Sequence, residues 1–379
     1  MEAQYQLSYW EKNTFFSAID VLIIGAGMVG LSAAVFLKRR SPNLNVVVLE
    51  RGSLPIGAST RNAGFACFGS LTELIADLQH QTEDQVWSLV EKRWRGLQQL
   101  RELLGEEAMD FQQNGGYELF LEKDEAAFEQ CAAAIAGYNR QLSSITGKQS
   151  VLTIADREID KFGFKNVKHL ILNRAEGQID TGKMMRALLA LAREMGVQVF
   201  NGIDVAQIDQ ESADVVVHTA NGWTIRAAKM IVATNGFARQ LLPDLEVRPA
   251  RNQVLITAPV PGLKIKGCFH YEEGFFYFRN IHNRILLGGG RNLDLQGEET
   301  DQFGTTKQIQ EHLTGMLHTV ILPEQQTKIE NWWSGILGVG EHKLPIIQKV
   351  HPNVVVAVRL GGMGIAIGNL VGQQAAEML

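Results

Sequence analysis

Asp20-Val-Leu-Ile-Ile-Gly25-Ala-Gly27-Met-Val-Gly30-Leu-Ser-Ala-Ala34 is the stretch that decides the fold. Val21 to Ile24 form a short apolar run with no polar face, the pattern of a strand buried in a parallel sheet. Three glycines follow at the spacing G-x-G-x-x-G, and an apolar helical run begins at once. The first glycine permits a tight turn, the second lets backbone approach a pyrophosphate, and the third lets helix and strand pack closely. The helix N-terminus then offers unpaired N–H groups and a positive dipole end to the phosphates. Gly25, Gly27 and Gly30, with the intervening Ala26, Met28 and Val29, are therefore candidate contacts. A second apolar strand, Asn45 to Leu49, ends in Glu50, about 20 residues beyond Gly30, where a carboxylate accepts hydrogen bonds from ribose hydroxyls. These intervals together predict a dinucleotide site. They do not say which dinucleotide.

The chain has 379 residues, which exceeds a single compact core, so two domains are expected. A net charge of −5 gives no electrostatic reason to expect nucleic acid or an anionic membrane surface. The cluster Lys38-Arg39-Arg40 sits where it complements a helix C-terminus. Cys67, Cys131 and Cys268 show no C-x-x-C spacing, and that spacing suggests neither a disulfide framework nor a zinc site. The first residues lack a signal-peptide pattern, and no apolar run reaches transmembrane length. A reducing cytoplasm is the expected setting.

After Glu50 comes Arg51-Gly-Ser-Leu-Pro-Ile-Gly57-Ala-Ser59-Thr60-Arg61-Asn62-Ala63-Gly64-Phe-Ala-Cys-Phe-Gly69. Such a small-residue loop is costly to order, and long ordered loops are usually functional. Residues 72 to 104 read as helical, with Thr82 and Gln85 as a capping box that starts a second helix. Tyr117 to Leu121 reads as a strand and Asp124 to Leu142 as a helix. From Gly177 the pattern returns to α/β. Asp180 or Thr181 caps a helix, and strands follow at Val197 to Phe200, Val205 to Ile208 and Asp214 to His218. Asn221-Gly222 then makes a hairpin turn. Lys229 to Ala233 is a buried strand ending in Thr234, Asn235 and Gly236. Phe275-Phe-Tyr-Phe278 is apolar on both faces, so one face must cover something. Asn353 to Val358 is a last buried strand, followed by Gly361-Gly-Met-Gly364 and a small-residue helix.

These stretches, with Trp333-x-Gly335 and Pro345-Ile, occur in one order along almost the whole chain. Together the sequence resembles the FAD-dependent D-amino-acid oxidase / glycine oxidase / sarcosine oxidase family. Its wording around Tyr9-Trp10 and Ala58 to Gly64 is most similar to the D-amino-acid dehydrogenase and gamma-glutamylputrescine oxidase branches. The resemblance implies an α/β (α+β overall) chain: a Rossmann-like FAD-binding domain and a mainly antiparallel-sheet substrate domain. The first would comprise 1–71, 165–247 and 335–379, the second 72–164 and 248–334. It selects FAD over NAD. Arg51 would lie beside the adenine. Ser59, Thr60, Arg61, Asn62, Ala63 and Gly64 would line the flavin and pyrophosphate, and Val205 would meet the adenine through its backbone. Ala233, Thr234, Asn235 and Gly236 would pack near ribose and pyrophosphate. Gly335, Gly361, Gly362, Met363, Gly364 and Ile365 would bring a helix N-terminus to the flavin ring, where its N–H groups stabilise charge on reduction.

The activity so implied is oxidation of an amine or amino-acid C–N bond, with hydride leaving the α-carbon for the flavin and the imine hydrolysing in water. Tyr271, Phe276, Tyr277, Phe278, Trp332 and Trp333 are candidate aromatic walls, of which Tyr277 and Trp333 are preferred. Arg279 is the first choice for a substrate carboxylate and Arg291 the second, because a guanidinium pairs with it bidentately. Arg248 and Arg251 read as surface or hinge charges, and His270 and His342 as candidate proton acceptors. The sequence departs from the family in three places. No cysteine near Ser334 can attach the flavin, so FAD is expected to be non-covalent. Leu286 and Ala366 stand where relatives carry lysines, which leaves the electron acceptor open between oxygen, a quinone and a carrier protein. Oxidation of a 2-hydroxy acid, and a catalytically weak FAD-binding subunit, are the competing readings.

Overall fold

A computed structural model describes residues 5–210 and 214–379. Two eight-stranded sheets organise it. In the first, Ile19–Ile24 lies at the centre, parallel to Val46–Glu50 on one side and Thr224–Val232 on the other. Gln198–Asn201 and Val354–Val358 extend the parallel array at its two ends. The antiparallel strands Val205–Gln210 and Val215–Thr219 continue from Thr224–Val232, and Ile346–His351 closes the edge. The central strands are buried almost throughout, as their predominantly Val/Ile/Leu composition requires. The Met28–Arg40, Thr181–Glu194 and Gly364–Glu377 helices fill one core with Leu31, Leu37, Leu188, Ile367 and Val371.

The second sheet runs in the order Ile329–Val339, Arg248–Thr257, Arg284–Gly289, Phe276–Ile281, Cys268–Tyr271, Gly116–Leu121, Val167–Asn173, Leu152–Ile154. Every pairing is antiparallel except that of Cys268–Tyr271 with Gly116–Leu121. One face is covered by the Lys307–Met316 helix, whose Ile309 and Leu313 pack with Phe269, Phe276 and Phe278. This is the cover that the Phe275–Phe278 run demanded. The expected Thr82 capping box is present at the start of Glu83–Leu104, and the aromatic lead-in packs Phe15 and Phe16 on Phe200.

Three segments cross the expected partition. Val167–Asn173 pairs in the second sheet, because its alternating apolar face fits beside Gly116–Leu121. Ile329–Val339 stays in that sheet beyond Gly335, registering Gly335 on Asn252 and Val339 on Arg248. The Glu83–Leu104 helix inserts Leu89, Leu97 and Leu100 into the core of the first sheet. There Gly96 abuts Ala366, where a Cβ would stand 2.4 Å from the Ala366 carbonyl oxygen.

Candidate functional site

Between the two sheets lies a cleft lined by residues of both. Its floor is the turn after Ile24. Gly25 has φ +104°, and a Cβ on Gly30 would lie 2.0 Å from the Gly25 carbonyl oxygen, so this turn tolerates no side chain at either position. Gly27 begins the Met28–Arg40 helix with no side chain of its own to cap it; the Met28 N–H instead donates to Ser59 Oγ at 2.9 Å. Glu50 is buried and accepts from Ala26 N at 3.1 Å and Gly52 N at 3.0 Å, one bond to each carboxylate oxygen. Arg51 stacks on the Phe237 ring at 3.8 Å and reaches Gln240. At the far end the Gly364–Glu377 helix opens at Met363, again without a side-chain cap. Gly361 and Gly362, at φ +57° and +84°, turn the chain into it, and a Cβ on Gly362 would touch only Leu337 Cδ1 at 3.9 Å.

Of the residues predicted to bind the cofactor, Gly25, Gly27, Met28, Val29, Glu50, Arg51, Ser59, Asn62, Val205, Ala233, Thr234, Gly362, Gly364 and Ile365 line this cleft. The rest support it. Ala26 holds Glu50. Thr60 and Arg61 belong to the turn that follows Gly57, and Arg61 donates to the Ser334 carbonyl at 3.1 Å. Asn62 accepts from Gly64 N at 2.7 Å and from Thr181 Oγ1 at 2.8 Å, which fixes the loop to the Thr181–Glu194 helix. Gly236 abuts Leu337 and Gly335 abuts Arg61. Asn235, within the Ala233–Gly236 stretch expected there, also lines the cleft; the sequence reading missed Ile203, Asp204, Phe237, Gln240, Ile336 and Leu337, which line it too. The polar-aromatic run after Gly236 was the available signal.

The residue types present fit a dinucleotide carrying a flavin. Two helix N-termini whose own N-cap residues make no side-chain cap open on one cleft, and small residues leave backbone reachable along its length. Thr234 Oγ1 is buried at its wall with no hydrogen-bond partner, and Glu50 keeps lone pairs to spare.

The aromatic residues expected to wall a substrate divide between the two faces of the second sheet, one of which is covered by the Lys307–Met316 helix. Pleating decides which face each takes. Tyr277, Gly288, Val254 and Trp333 register as one row across four strands. With Ala63, Phe65, Leu286 and Ile281 they form a small apolar cluster against the loop. Trp333 Nε1 donates to the Arg61 carbonyl at 3.0 Å, and Phe65 meets Tyr277 edge-on at 5.6 Å. Burial pushes the Tyr277 phenol well above its ordinary range, outweighing a hydrogen bond with Asn252. The other proposed aromatics are corrected by the same pleat: Tyr271, Phe276, Phe278 and Trp332 pack in the core on the opposite face.

Arg279 is also corrected. It is on the Tyr277 face but buried, and its guanidinium donates to the Gly64 carbonyl at 2.9 Å and the Ile179 carbonyl at 2.7 Å. It holds the loop in place, and burial lowers its pKa. Arg291 lies over the Phe275 ring at 5.6 Å and has no carboxylate partner among the described residues. Burial and the nearby Arg248 hold its pKa down. Arg248 and Arg251 pair with Glu299 and Glu298, in keeping with a structural role. His342 is exposed, and His270 is buried beside Glu176. No helix among the described residues is long and apolar enough to cross a membrane.

Residues 20–378 match the family described as FAD dependent oxidoreductase. The chain is 25% identical over 377 residues to "Probable oxidoreductase OrdL" of Rhizobium meliloti, covering 95% of this chain and 82% of that one. It is 24% identical over 378 residues to "Gamma-glutamylputrescine oxidoreductase" of Escherichia coli, covering 95% and 83%. Among solved structures, glycine oxidase from Bacillus cereus superposes with a TM-score of 0.76 at 18% identity, over 95% of this chain and 96% of that one. The likeness in fold spans both sheets, the Rossmann-like one around Gly25 and the mainly antiparallel one. With its fingerprint, its two helix N-termini and this match over nearly the whole length, the chain belongs to the family of FAD-dependent oxidoreductases.

Proposed function

We propose that the protein oxidises the C–N bond of a small amine or amino acid. The observation that carries this reading is the apolar row Tyr277–Val254–Trp333, set against the Ala63–Phe65 loop beside the cofactor cleft. Bound FAD supplies an acceptor for two electrons and a hydrogen. The chain's own residues supply the rest. An apolar wall excludes water and favours an uncharged amine, so the nitrogen lone pair is available as the α-hydrogen departs. The cluster residues Ala63, Val254 and Leu286 carry no base, and Tyr277 keeps its proton. We read the step as loss of hydride, with the lone pair of the uncharged amine driving it. The first turn of the Gly364–Glu377 helix, which opens on the cleft at Gly364 and Ile365, would offer its N–H groups to negative charge developing on the cofactor. Arg291, with no carboxylate partner among the described residues, is the group we assign to a substrate carboxylate where one is present.

Leu286, 2% exposed in this wall, places no cation beside the reacting centre, which favours an acceptor other than oxygen. The test is anaerobic mixing of the holoenzyme with panels of amines, amino acids and 2-hydroxy acids. Bleaching of the flavin by amines, slowed by α-deuteration, is the expected result. Bleaching by hydroxy acids alone would establish the competing chemistry, and no bleaching by any amine would sink the proposal.

A further inference from the structure

At the seam between the cofactor loop and the second sheet lies a group of donors that the proposed reaction does not use. Cys67 Sγ, a Glu176 carboxylate oxygen and a His270 ring nitrogen all lie within 4.8 Å of one another. All three residues are buried: Cys67 and Glu176 are 1% exposed and His270 6%. They come from three separate parts of the chain, which is why cysteine spacing alone predicts no site. His270 Nε2 has no hydrogen-bond partner and stands 3.7 Å from Glu176 Oε2. A fourth donor adjoins them. The Cys268 and Cys67 thiols both reach the Gly177 carbonyl, at 3.2 and 3.8 Å.

We propose that Cys67, Glu176 and His270, with Cys268 as fourth ligand, form a structural binding site for a borderline-soft divalent cation of the zinc class. Two thiolates, an imidazole and a carboxylate are the donor set such an ion takes in closed tetrahedral sites. As the ion binds, each thiol gives up its proton to solvent. Charge supplies an independent argument. Two thiolates and a carboxylate around a dication leave one negative charge. Arg279 registers directly on Cys268 on the same sheet face. It is buried, its Nε has no hydrogen-bond partner, and no carboxylate lies within ion-pair distance of it among the described residues. A buried guanidinium without an anion is costly. The loaded site is the anion it lacks. The metal would join the Gly64–Phe68 segment to the Cys268–Tyr271 strand and so fix the loop on which the cofactor rests.

The experiment loads the holoenzyme with Zn²⁺ or Cd²⁺, removes loose metal by gel filtration, and measures metal per chain by mass spectrometry. One metal per chain is expected, with a thiolate-to-metal ultraviolet band for Cd²⁺. Cys67→Ala and His270→Gln should each lower retained metal at least about tenfold. Cys131→Ala, which alters a thiol in a different core, should leave it unchanged. Trace binding by the wild type, equal retention by the Cys67 and His270 variants, or a native Cys67–Cys268 disulfide would overturn the proposal. Should those variants fail to fold, X-ray absorption on the loaded wild type decides it: a shell containing sulfur is expected, and a shell of oxygen and nitrogen alone refutes the site.

Discussion

Single residues in this protein often hold the site together without touching the ligand. Glu50 shows both roles. Its carboxylate fixes Ala26 N and Gly52 N, and its remaining lone pairs face the cleft. Glu50→Ala should lower FAD affinity at least about tenfold and destabilise the apoprotein by about 1–3 kcal/mol, since two buried N–H groups lose their acceptor. Flavin fluorescence titration and denaturant unfolding of the apoprotein read the two effects. An unchanged affinity would remove Glu50 from the ribose. Arg279→Leu should cost about 2–4 kcal/mol, because the Gly64 and Ile179 carbonyls lose charge-assisted bonds. Its kinetic effect should be the same on amines with and without a carboxylate. Arg291→Met should instead raise KM only for carboxylate-bearing substrates, by about 1.5–3 kcal/mol. Steady-state kinetics on a paired amine and amino acid separates the two arginines.

Among elements, the Leu71–His80 helix is tied to the rest by a buried charge network. Lys343 Nζ lies 2.8 Å from Glu73 and 2.7 Å from Asp77, and Arg93 lies 3.7 Å from Glu73. Burial would raise the Glu73 pKa, but Lys343 and Arg93 outweigh it and hold the carboxyl below its ordinary 4.5. A depressed carboxyl stabilises the fold above its unfolded value and loses that contribution as pH falls through the folded one. Glu73→Gln should therefore cost about 3 kcal/mol at neutral pH, and the gap from wild type should close below about pH 4.5. Urea unfolding at several pH values checks it; a gap that persists in acid would show that packing, not charge, is responsible. Elements were also where the sequence was most and least informative. The fingerprint strand, its helix and Glu50 are local patterns, so they could be read directly. The aromatic wall could not. Phe276, Tyr277 and Phe278 are alike in hydrophobicity, and which of them faces the cleft depends on the parity set by the Glu272–Gly274 turn. Arg279 looked like a substrate anchor because nothing in the sequence shows that Gly64 and Ile179 lie within its reach. Cys67, Glu176 and His270 carry no mutual spacing signal at all.

At the scale of the whole molecule, one cleft is built from both sheets, so ligand and fold stabilise each other. FAD at 100 times its dissociation constant should add about 2.7 kcal/mol to the unfolding free energy. Both sheets should share in it, because Ile336 and Leu337 line the cleft while their strand pairs in the second sheet. Hydrogen exchange with and without FAD should show protection gained in Ile329–Val339 as well as around Gly25. Protection confined to the fingerprint would mean that the sheets unfold independently.

The cleft draws its lining from Ile24 near the start of the chain and from Ile365 near its end. Its first wall, at Ile24, leaves the ribosome hundreds of residues before its last, at Ile365. Until the Gly361–Gly364 turn emerges, the fingerprint is a half-site with nothing to close over a flavin. Cofactor loading therefore follows the emergence of the Gly361–Gly364 turn, and until then the nascent chain must keep its long-range strand partners apart from those of its neighbours without a ligand's help. A chain released before Leu360 would carry every glycine of the fingerprint and still emerge colourless.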